Sequence, residues 1–250
     1  MRNAISSLGK EAIEQKVMFC ATLLGVPDHL HIDYVCNACC MHVESAPDFR
    51  KSRKNRILSD DQCIELWVRK FLNGYNSRIS CRESNMPGTI PDDAVSKIIQ
   101  AGLPSLPAAR AKEVIYAHRL AMSAENILGL LLEGFLFEKL EPVGWAMAWG
   151  ETIESVDFCD RNGTLLQIKN RSNSENSSSS KVREGKPIQK WYRVNATTGA
   201  FEWDNLESII GVHVDGLTED EFKNYISRVL AQNPKALAVE AENPWRVFRT

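Results

Sequence analysis

The sequence predicts an α/β (α+β) fold in which helices flank a central mixed β-sheet. Apolar residues repeat with the helical period over most of the first 140 residues. After Gly150 the period becomes that of strands, and an Asn-Gly pair at positions 162 and 163 joins two strand-like runs. We therefore expect a mainly helical N-terminal region over residues 1–90 and a sheet-containing core over residues 91–250.

The composition is that of a protein with one sizeable core. The chain has 250 residues, of which 44% are hydrophobic and 25% charged, so neither disulfides nor a structural metal is needed for folding. We expect reduced cysteines, no signal peptide and no apolar run of about 18 residues, hence a cytoplasmic protein without a membrane segment. The net charge of −2 argues against a protein that coats nucleic acid but is compatible with a local basic groove.

Helix boundaries are predicted from capping residues and apolar stripes. Ser59 and Gln62 form a capping-box pattern ahead of such a stripe. The segment Asn73–Pro91 is rich in Gly, Pro, Ser and Asn, which predicts a loop or a seam between lobes. The predicted helices are Ser59–Phe71, Asp92–Gln100, Ala108–Leu120, Ala124–Leu140 with Ser123 as its cap, and a last helix that opens at Thr218 and Glu221.

Two hairpins and a further strand are predicted after Gly150. The first pairs Ile153–Cys159 with Thr164–Lys169 in antiparallel fashion, through the turn that contains Asn-Gly. The second hairpin pairs Ile188–Val194 with Ala200–Trp203, and Ile209–Val214 is the further strand.

One face of the first hairpin carries the residues of a candidate active site. Alternate side chains of a strand share a face, so Gln167 and Lys169 point one way while Leu166 and Ile168 point into the core. On the partner strand the same alternation places Asp157 on the face of Gln167 and Lys169, together with Ser155 and Cys159, and buries Val156 and Phe158.

This combination of side chains suits phosphodiester hydrolysis. A carboxylate can hold Mg²⁺ against a phosphate oxygen, and a lysine can orient the attacking water and stabilise charge on phosphorus. The pattern Asp157-x9-Gln167-x-Lys169 is weakly specific by itself. The alternative is an ordinary amphipathic hairpin with a solvated face.

The apolar helix upstream offers a second carboxylate. Glu133 lies among leucines and phenylalanines, where a carboxylate is costly unless a cation or hydrogen bonds meet it. Glu125 lies eight residues earlier, about two turns along the helix. The alternatives are an edge position for Glu133 and a helix-dipole contact in the first turn for Glu125.

The polar segment after Lys169 has the composition of a DNA-reading segment. Arg, Asn and Glu match guanine, adenine and cytosine edges, and Ser matches phosphate oxygens. A flexible serine-rich linker is the alternative. The candidate DNA contacts are Asn170, Arg171, Asn173, Ser174, Glu175, Asn176, Ser177, Lys181, Arg183, Lys190 and Arg193, with the basic run Arg50–Arg56 as a second candidate.

The acid, strand and lysine arrangement resembles the PD-(D/E)XK nuclease superfamily. The run LLQIKNRSNSENSSSSKVREG with IQKWYR, together with AENILGLLLEGFL and WGETIESVDF, resembles the SinI family of type II restriction endonucleases. By this resemblance the strand acid is Asp157, the lysine is Lys169 and the helix acid is Glu133 or Glu125. Gln167 departs from the superfamily, which has Asp or Glu at this position, so the number of metal ions stays open.

The resemblance also implies substrate and partners. It implies a double-stranded DNA target with a GG(A or T)CC-like, GC-flanked site, Mg²⁺ as cofactor, and a cognate DNA methyltransferase in the same system. A homodimer would match the two-fold symmetry of such a site. The N-terminal region is then a DNA-contacting lobe and the remainder the nuclease core.

Two other functions are weighed against this one. Cys36, Cys39, Cys40 and His42 include a zinc-ligand spacing, which would suit a non-catalytic DNA-binding regulator. A helix end with reduced, partly buried thiols is the alternative and is favoured over zinc. The other alternative is a repair or recombination nuclease of the same fold, against which the base-reading composition after Lys169 argues.

Overall fold

The computed structural model describes residues 1–49, 58–172 and 187–249. It confirms the α+β class: a mixed four-stranded sheet is flanked by helices. The chain forms two compact units, one of residues 1–78 and 132–224 and one of residues 79–131 and 225–250. The predicted division into 1–90 and 91–250 stays a prediction, since contacts do not test where a nuclease core begins.

The helices follow the expected caps in several places. Ser59 and Gln62 form the predicted capping box, and Asp92 caps the next helix by accepting from the N–H of Ala94. In the described part of the chain the α-helices are α1 (Arg2–Leu8), α2 (Lys10–Leu24), α3 (Ile32–Met41), α4 (Asp60–Asn76), α5 (Asp93–Gly102), α6 (Ala108–Leu140), α7 (Trp203–Ile210) and α8 (Glu219–Gln232). Short 3₁₀ turns lie at Asp28–Leu30, Val43–Ser45, Glu141–Val143, Pro234–Ala236 and Pro244–Phe248.

The sheet has the strand order β1-β2-β3-β4. Its strands are β1 (Trp145–Met147), β2 (Phe158–Asp160), β3 (Leu165–Arg171) and β4 (Ile188–Val194). The first two pairings are antiparallel and the β3–β4 pairing is parallel. The predicted turn between β2 and β3 is present, with the Asp160 carboxylate accepting from the N–H groups of Asn162 and Thr164.

One long helix replaces two predicted helices. We predict Ala108–Leu120 and Ala124–Leu140 as separate helices with Ser123 as a cap, whereas α6 is continuous and Ser123 is buried within it. The capping prediction is wrong because the residues before Ser123, Arg-Leu-Ala-Met, favour helix and carry the chain through without a break.

The merged helix also changes an expectation about apolar length. By length and composition alone, the segment Ala108–Val143 could cross a membrane. The prediction that no apolar run approaches that length is therefore wrong. The core helix of a soluble protein passes the same test, so the segment by itself indicates no membrane association.

Three strand predictions need correction. The strand predicted at Ile153–Cys159 is reduced to β2, because Glu151 and Ser155 have positive φ angles of 55° and 62° that interrupt an extended chain. The strand predicted at Ile209–Val214 is absent, since α7 covers its start and ends at Ile210, with Gly211 as its C-cap. The turn of the second predicted hairpin is present. Its two strands, however, pair only through a single bridge between Val194 and Phe201, just before α7 begins. Adjacent β-branched residues imitate a strand wherever a short helix is held by tertiary packing.

The core of the first unit lies around β3 and β4. Leu166, Ile168 and Trp191 are buried on one face of these strands. The Trp191 ring lies 5.2 Å from the ring of Trp203, which starts α7. Phe222 of α8 and Phe135 of α6 complete this aromatic cluster, with ring centroids 5.4 Å apart. One face of β3 and β4 is therefore covered by aromatic side chains.

The second unit has its own polar connections. Arg119 of α6 pairs with Glu240, and both side chains are largely buried. Asn233 donates to the carbonyl oxygens of Ile79 and Arg82, at 3.1 and 2.8 Å. These bonds tie residues after α8 to the segment before α5, which explains why two distant parts of the chain form one unit.

Candidate active site

Asp157 lies where β2 begins, opposite β3. Its N–H donates to the carbonyl oxygen of Leu166 at 2.9 Å, and its carboxylate Oδ2 accepts from the N–H of Ile168 at 2.7 Å. The pairs Phe158–Leu166 and Cys159–Leu165 set the register. One further step of this register places Asp157 opposite Gln167, on the face that also carries Lys169.

The loop that precedes Asp157 is anchored to the N-terminal helices. The carbonyl oxygen of Thr152 accepts from the indole Nε1 of Trp67 at 2.9 Å and from the Cys39 thiol at 3.3 Å. The N–H of Glu154 donates to the carbonyl oxygen of Ser45 at 2.7 Å. Helices α3 and α4 thereby hold the backbone that precedes Asp157.

A pair of glycines allows the same loop to approach α4. Gly150 has a φ of 71°, and a Cβ there would collide with the carbonyl group of Lys70. A Cβ at Gly74 would collide with the backbone of Gly150 in turn. Only glycine permits this contact between two backbones.

Three other predicted residues lie at the same place. Glu133 on α6 and Lys169 on β3 are half-buried, and Gln167 is only 4% exposed. Within the described residues, neither the Glu133 carboxylate nor the Lys169 ammonium has a hydrogen bond or an ion pair. Gln167 does have a polar contact. A half-buried carboxylate and a half-buried ammonium without close partners are expected where a ligand completes the site.

The pKa values of both acids are raised, chiefly by burial. Burial raises the pKa of Glu133 to about 8, with the neighbouring Asp157 raising it further and Lys169 lowering it. Burial also raises the pKa of Asp157 to about 6, while the hydrogen bond from Ile168 and the charge of Lys169 lower it. Both acids therefore hold their protons more tightly than free carboxyl groups do, and a divalent cation would stabilise their charged forms.

The donor set fits a hard divalent ion. Two carboxylates and the amide oxygen of Gln167 are oxygen ligands of the kind Mg²⁺ takes. Across residues 1–49, 58–172 and 187–249, no group of three or more His, Cys, Asp and Glu side chains is placed to hold a metal ion. Such a site would therefore rely on Asp157, Glu133 and the neutral Gln167, with water or substrate oxygens in the remaining positions.

The parallel strand β4 adds residues to the same face. Gln167 is paired with Lys190, and Lys169 with Tyr192. Lys190 and Tyr192 are half-buried. The alternate residues of the strand, Trp191 and Arg193, are buried on the opposite face. Sequence reasoning included Lys190 and missed Tyr192. Only the β3–β4 register identifies Tyr192 as a neighbour of the lysine.

Three of the predicted DNA contacts, Asn170, Arg171 and Arg193, have structural partners. Both Glu219 carboxylate oxygens accept from the Arg193 guanidinium at 2.7 Å, and its Nε donates to Asn170 at 3.0 Å. Arg193 is 8% exposed and lies over the ring of Phe222. Arg171 is exposed and has a partner of its own. The DNA-binding predictions for these residues stay predictions.

Several predicted contacts fall outside the described residues. The basic run Arg50–Arg56 is among them. So are the predicted DNA contacts Asn173, Ser174, Glu175, Asn176, Ser177, Lys181 and Arg183.

The remaining predicted site residues are Glu125 and the zinc candidates. Glu125 is exposed and belongs to the unit of residues 79–131. The zinc candidates do not assemble: the Cys39 thiol faces Thr152, and His42 Nε2 donates to the Gly163 carbonyl oxygen at 2.9 Å. Cys36 and Cys40 are hydrogen-bonded to each other, which raises the pKa of the Cys36 thiol and lowers that of Cys40. Helix α3 thus uses these thiols in packing.

Comparison with known proteins identifies the family of this chain. The family model of the SinI restriction endonuclease matches residues 26–232. The chain is 40% identical to the type II restriction enzyme SinI of Salmonella infantis over 191 residues, 74% of this chain and 79% of that protein. It is 38% identical to the type II restriction enzyme Eco47I of Escherichia coli over 187 residues, 73% of this chain and 78% of that protein. These matches include Glu133, Asp157 and Lys169 within the family-model range.

Proposed function

This chain belongs to the SinI restriction endonuclease family and is a site-specific deoxyribonuclease, and we propose that it cuts DNA by Mg²⁺-dependent hydrolysis at the site described above. The observation that carries the proposal is the pair of buried acids. The pKa of Glu133 is raised to about 8 and that of Asp157 to about 6, with Lys169 as the nearby cation. Such a pair is stabilised by a divalent cation.

Each residue has a distinct task. Asp157 and Glu133 would hold the ion with their carboxylates, and Gln167 would contribute its amide oxygen. The hydrogen bond from Ile168 aims the Asp157 carboxylate. Magnesium, when bound, would polarise a phosphate oxygen and lower the pKa of a water molecule. Lys169 orients the attacking water and stabilises negative charge on the phosphate.

The recognition function is proposed for the segment that follows Lys169. Arg171 is exposed at the end of β3, so contacts made there would be coupled directly to the strand that carries the catalytic lysine. The target is a short GC-flanked site of the GG(A or T)CC type. We also propose a cytoplasmic homodimer, because two antiparallel DNA strands require two catalytic sites, and a cognate methyltransferase that protects host DNA.

The decisive experiment is digestion of a methylation-free genomic DNA. Purified protein should produce discrete fragments with Mg²⁺ and none with Ca²⁺ or EDTA. Lys169→Ala purified in parallel excludes a contaminating nuclease. A continuous smear, or cleavage of branched DNA alone, would contradict the proposal and favour a structure-selective nuclease.

A further inference from the structure

Tyr192 shares the catalytic face without an assigned role. It is paired with Lys169 in the parallel β3–β4 register. Directly paired residues of neighbouring strands lie about 4.8 Å apart and point to the same side of the sheet. The side chains of Tyr192 and Lys169 therefore leave the backbone at neighbouring positions on the same face of the sheet.

Burial along β4 supports this direction. Trp191 and Arg193 are buried, and both have polar partners on the opposite face, Glu202 and Glu219. Tyr192 is half-buried, as is Lys169. The strand thus alternates between an aromatic core face and a face left open to substrate.

The phenol hydroxyl is available for a substrate. Among the residues the structure describes, the side chain of Tyr192 has no hydrogen bond, ring contact or ion pair. The Lys169 ammonium beside it is also without a hydrogen bond or ion pair within that part of the chain. Two donors in register, both without partners, make a suitable binding surface for the oxygens of one phosphate group.

A neutral donor suits the charge balance of the site. With Gln167 in place of an acid, the metal ligands carry few negative charges, and a second cation close to the ion would repel it. A tyrosine hydroxyl can stabilise negative charge that develops on a phosphate oxygen without adding positive charge.

We propose that Tyr192 is a catalytic residue whose hydroxyl donates a hydrogen bond to a nonbridging oxygen of the scissile DNA phosphate. This inference rests on the proposed function. It extends the catalytic set from β2 and β3 to β4.

Tyr192→Phe tests the proposal because it removes only the hydroxyl. Single-turnover cleavage should slow by about 100-fold, the loss typical of removing one donor to developing charge. Binding to the cognate duplex in Ca²⁺ should be unchanged. Gln189→Ala, an exposed residue of the opposite parity on the same strand, is the matched control and should cut at the wild-type rate. A loss in Tyr192→Phe of less than about tenfold, or an equal loss in the control, overturns the proposal.

A phosphorothioate at the mapped cleavage position locates the contact. In one diastereomer, sulfur replaces the oxygen that Tyr192 contacts. With that DNA, Tyr192→Phe should slow cleavage by a smaller factor than it does with normal DNA, because both changes remove the same interaction. Additive effects for both diastereomers would show that Tyr192 does not contact that phosphate. Failure of the proposed function can be told apart from failure of the Tyr192 proposal. If the proposed site is wrong, Lys169→Ala will still cut DNA, whatever the rate of Tyr192→Phe.

Discussion

The N–H of Ile168 donates a 2.7 Å hydrogen bond to the Asp157 carboxylate. This bond connects the candidate metal-binding acid to the strand that bears Lys169, one residue further on. Strand β3 thus positions both Asp157 and Lys169, and the aromatic cluster behind it packs against the strand.

The first prediction concerns Asp157 itself. Asp157→Asn keeps an oxygen for the Ile168 N–H but removes the charge, so the fold and DNA binding in Ca²⁺ should remain while cleavage is lost. Fragment analysis and a binding isotherm measure the two effects. Wild-type cutting by this variant would show that the metal-binding acid is elsewhere.

The second prediction concerns pH and stability without metal. The pKa of Glu133 is raised from 4.5 to about 8 in the folded protein, so the folded state binds the proton more tightly than the unfolded state. Stability from this group is therefore present below pH 4.5 and is lost as pH rises towards 8. Thermal unfolding in EDTA should show Tm falling over this window.

Glu133→Gln supplies the test of that linkage. It should flatten the pH dependence of Tm. It should also raise Tm in EDTA at pH 8, by about 2 to 4 °C for each kcal/mol that burial of the charged Glu133 carboxylate costs the folded state. Mg²⁺ or Ca²⁺ should stabilise the wild type more at pH 8 than at pH 6, since binding displaces the proton. An unchanged pH profile in Glu133→Gln would contradict the assignment of the raised pKa.

The third prediction separates the two helix acids. Glu133→Gln should abolish most cleavage, whereas Glu125→Gln should cut nearly as the wild type does, because Glu125 is exposed and in the other unit. Initial cleavage rates at saturating Mg²⁺ compare them. The reverse order would assign the helix acid to Glu125.

The fourth prediction asks whether Arg193 serves the fold or the DNA. Its side chain and that of Glu219 are 10% and 14% exposed, and breaking a buried pair costs about 3 to 5 kcal/mol. Arg193→Ala should therefore lower Tm clearly. Arg69→Ala, which breaks the exposed pair with Glu65, should cost under about 0.5 kcal/mol. Normal stability with weakened DNA binding in Arg193→Ala would instead support the DNA contact.

The fifth prediction concerns base recognition after Lys169. Alanine at a base-reading residue should cost about 1 to 3 kcal/mol for the cognate site and relax preference at one position. A phosphate contact should weaken binding to all sequences alike and reduce the salt dependence by about one counterion. The residues to test are Arg171, Asn173, Glu175, Asn176 and Arg183. Uniform weakening in all five would transfer base recognition to Arg50–Arg56.

The local sequence determined the elements with strong local signals. The Ser59 capping box and the Asn-Gly turn between β2 and β3 are present as predicted, because both depend on contacts within a few residues. Strand alternation predicts the shared face of Asp157 and Lys169 for the same reason. Helix and strand predictions were wrong where tertiary packing decides, as at Ile209–Val214 and Ser123.

Only the tertiary structure decided what surrounds the hairpin. The sequence left Glu125 and Glu133 open as the helix acid, and the pKa coupling of Glu133 to Asp157 favours Glu133. The parallel register of β4 beside β3, which brings Tyr192 to Lys169, joins residues 23 positions apart. A spacing rule within one strand or one helix cannot specify such a pairing, because the free energy that selects it comes from burying Trp191 against Trp203 of α7.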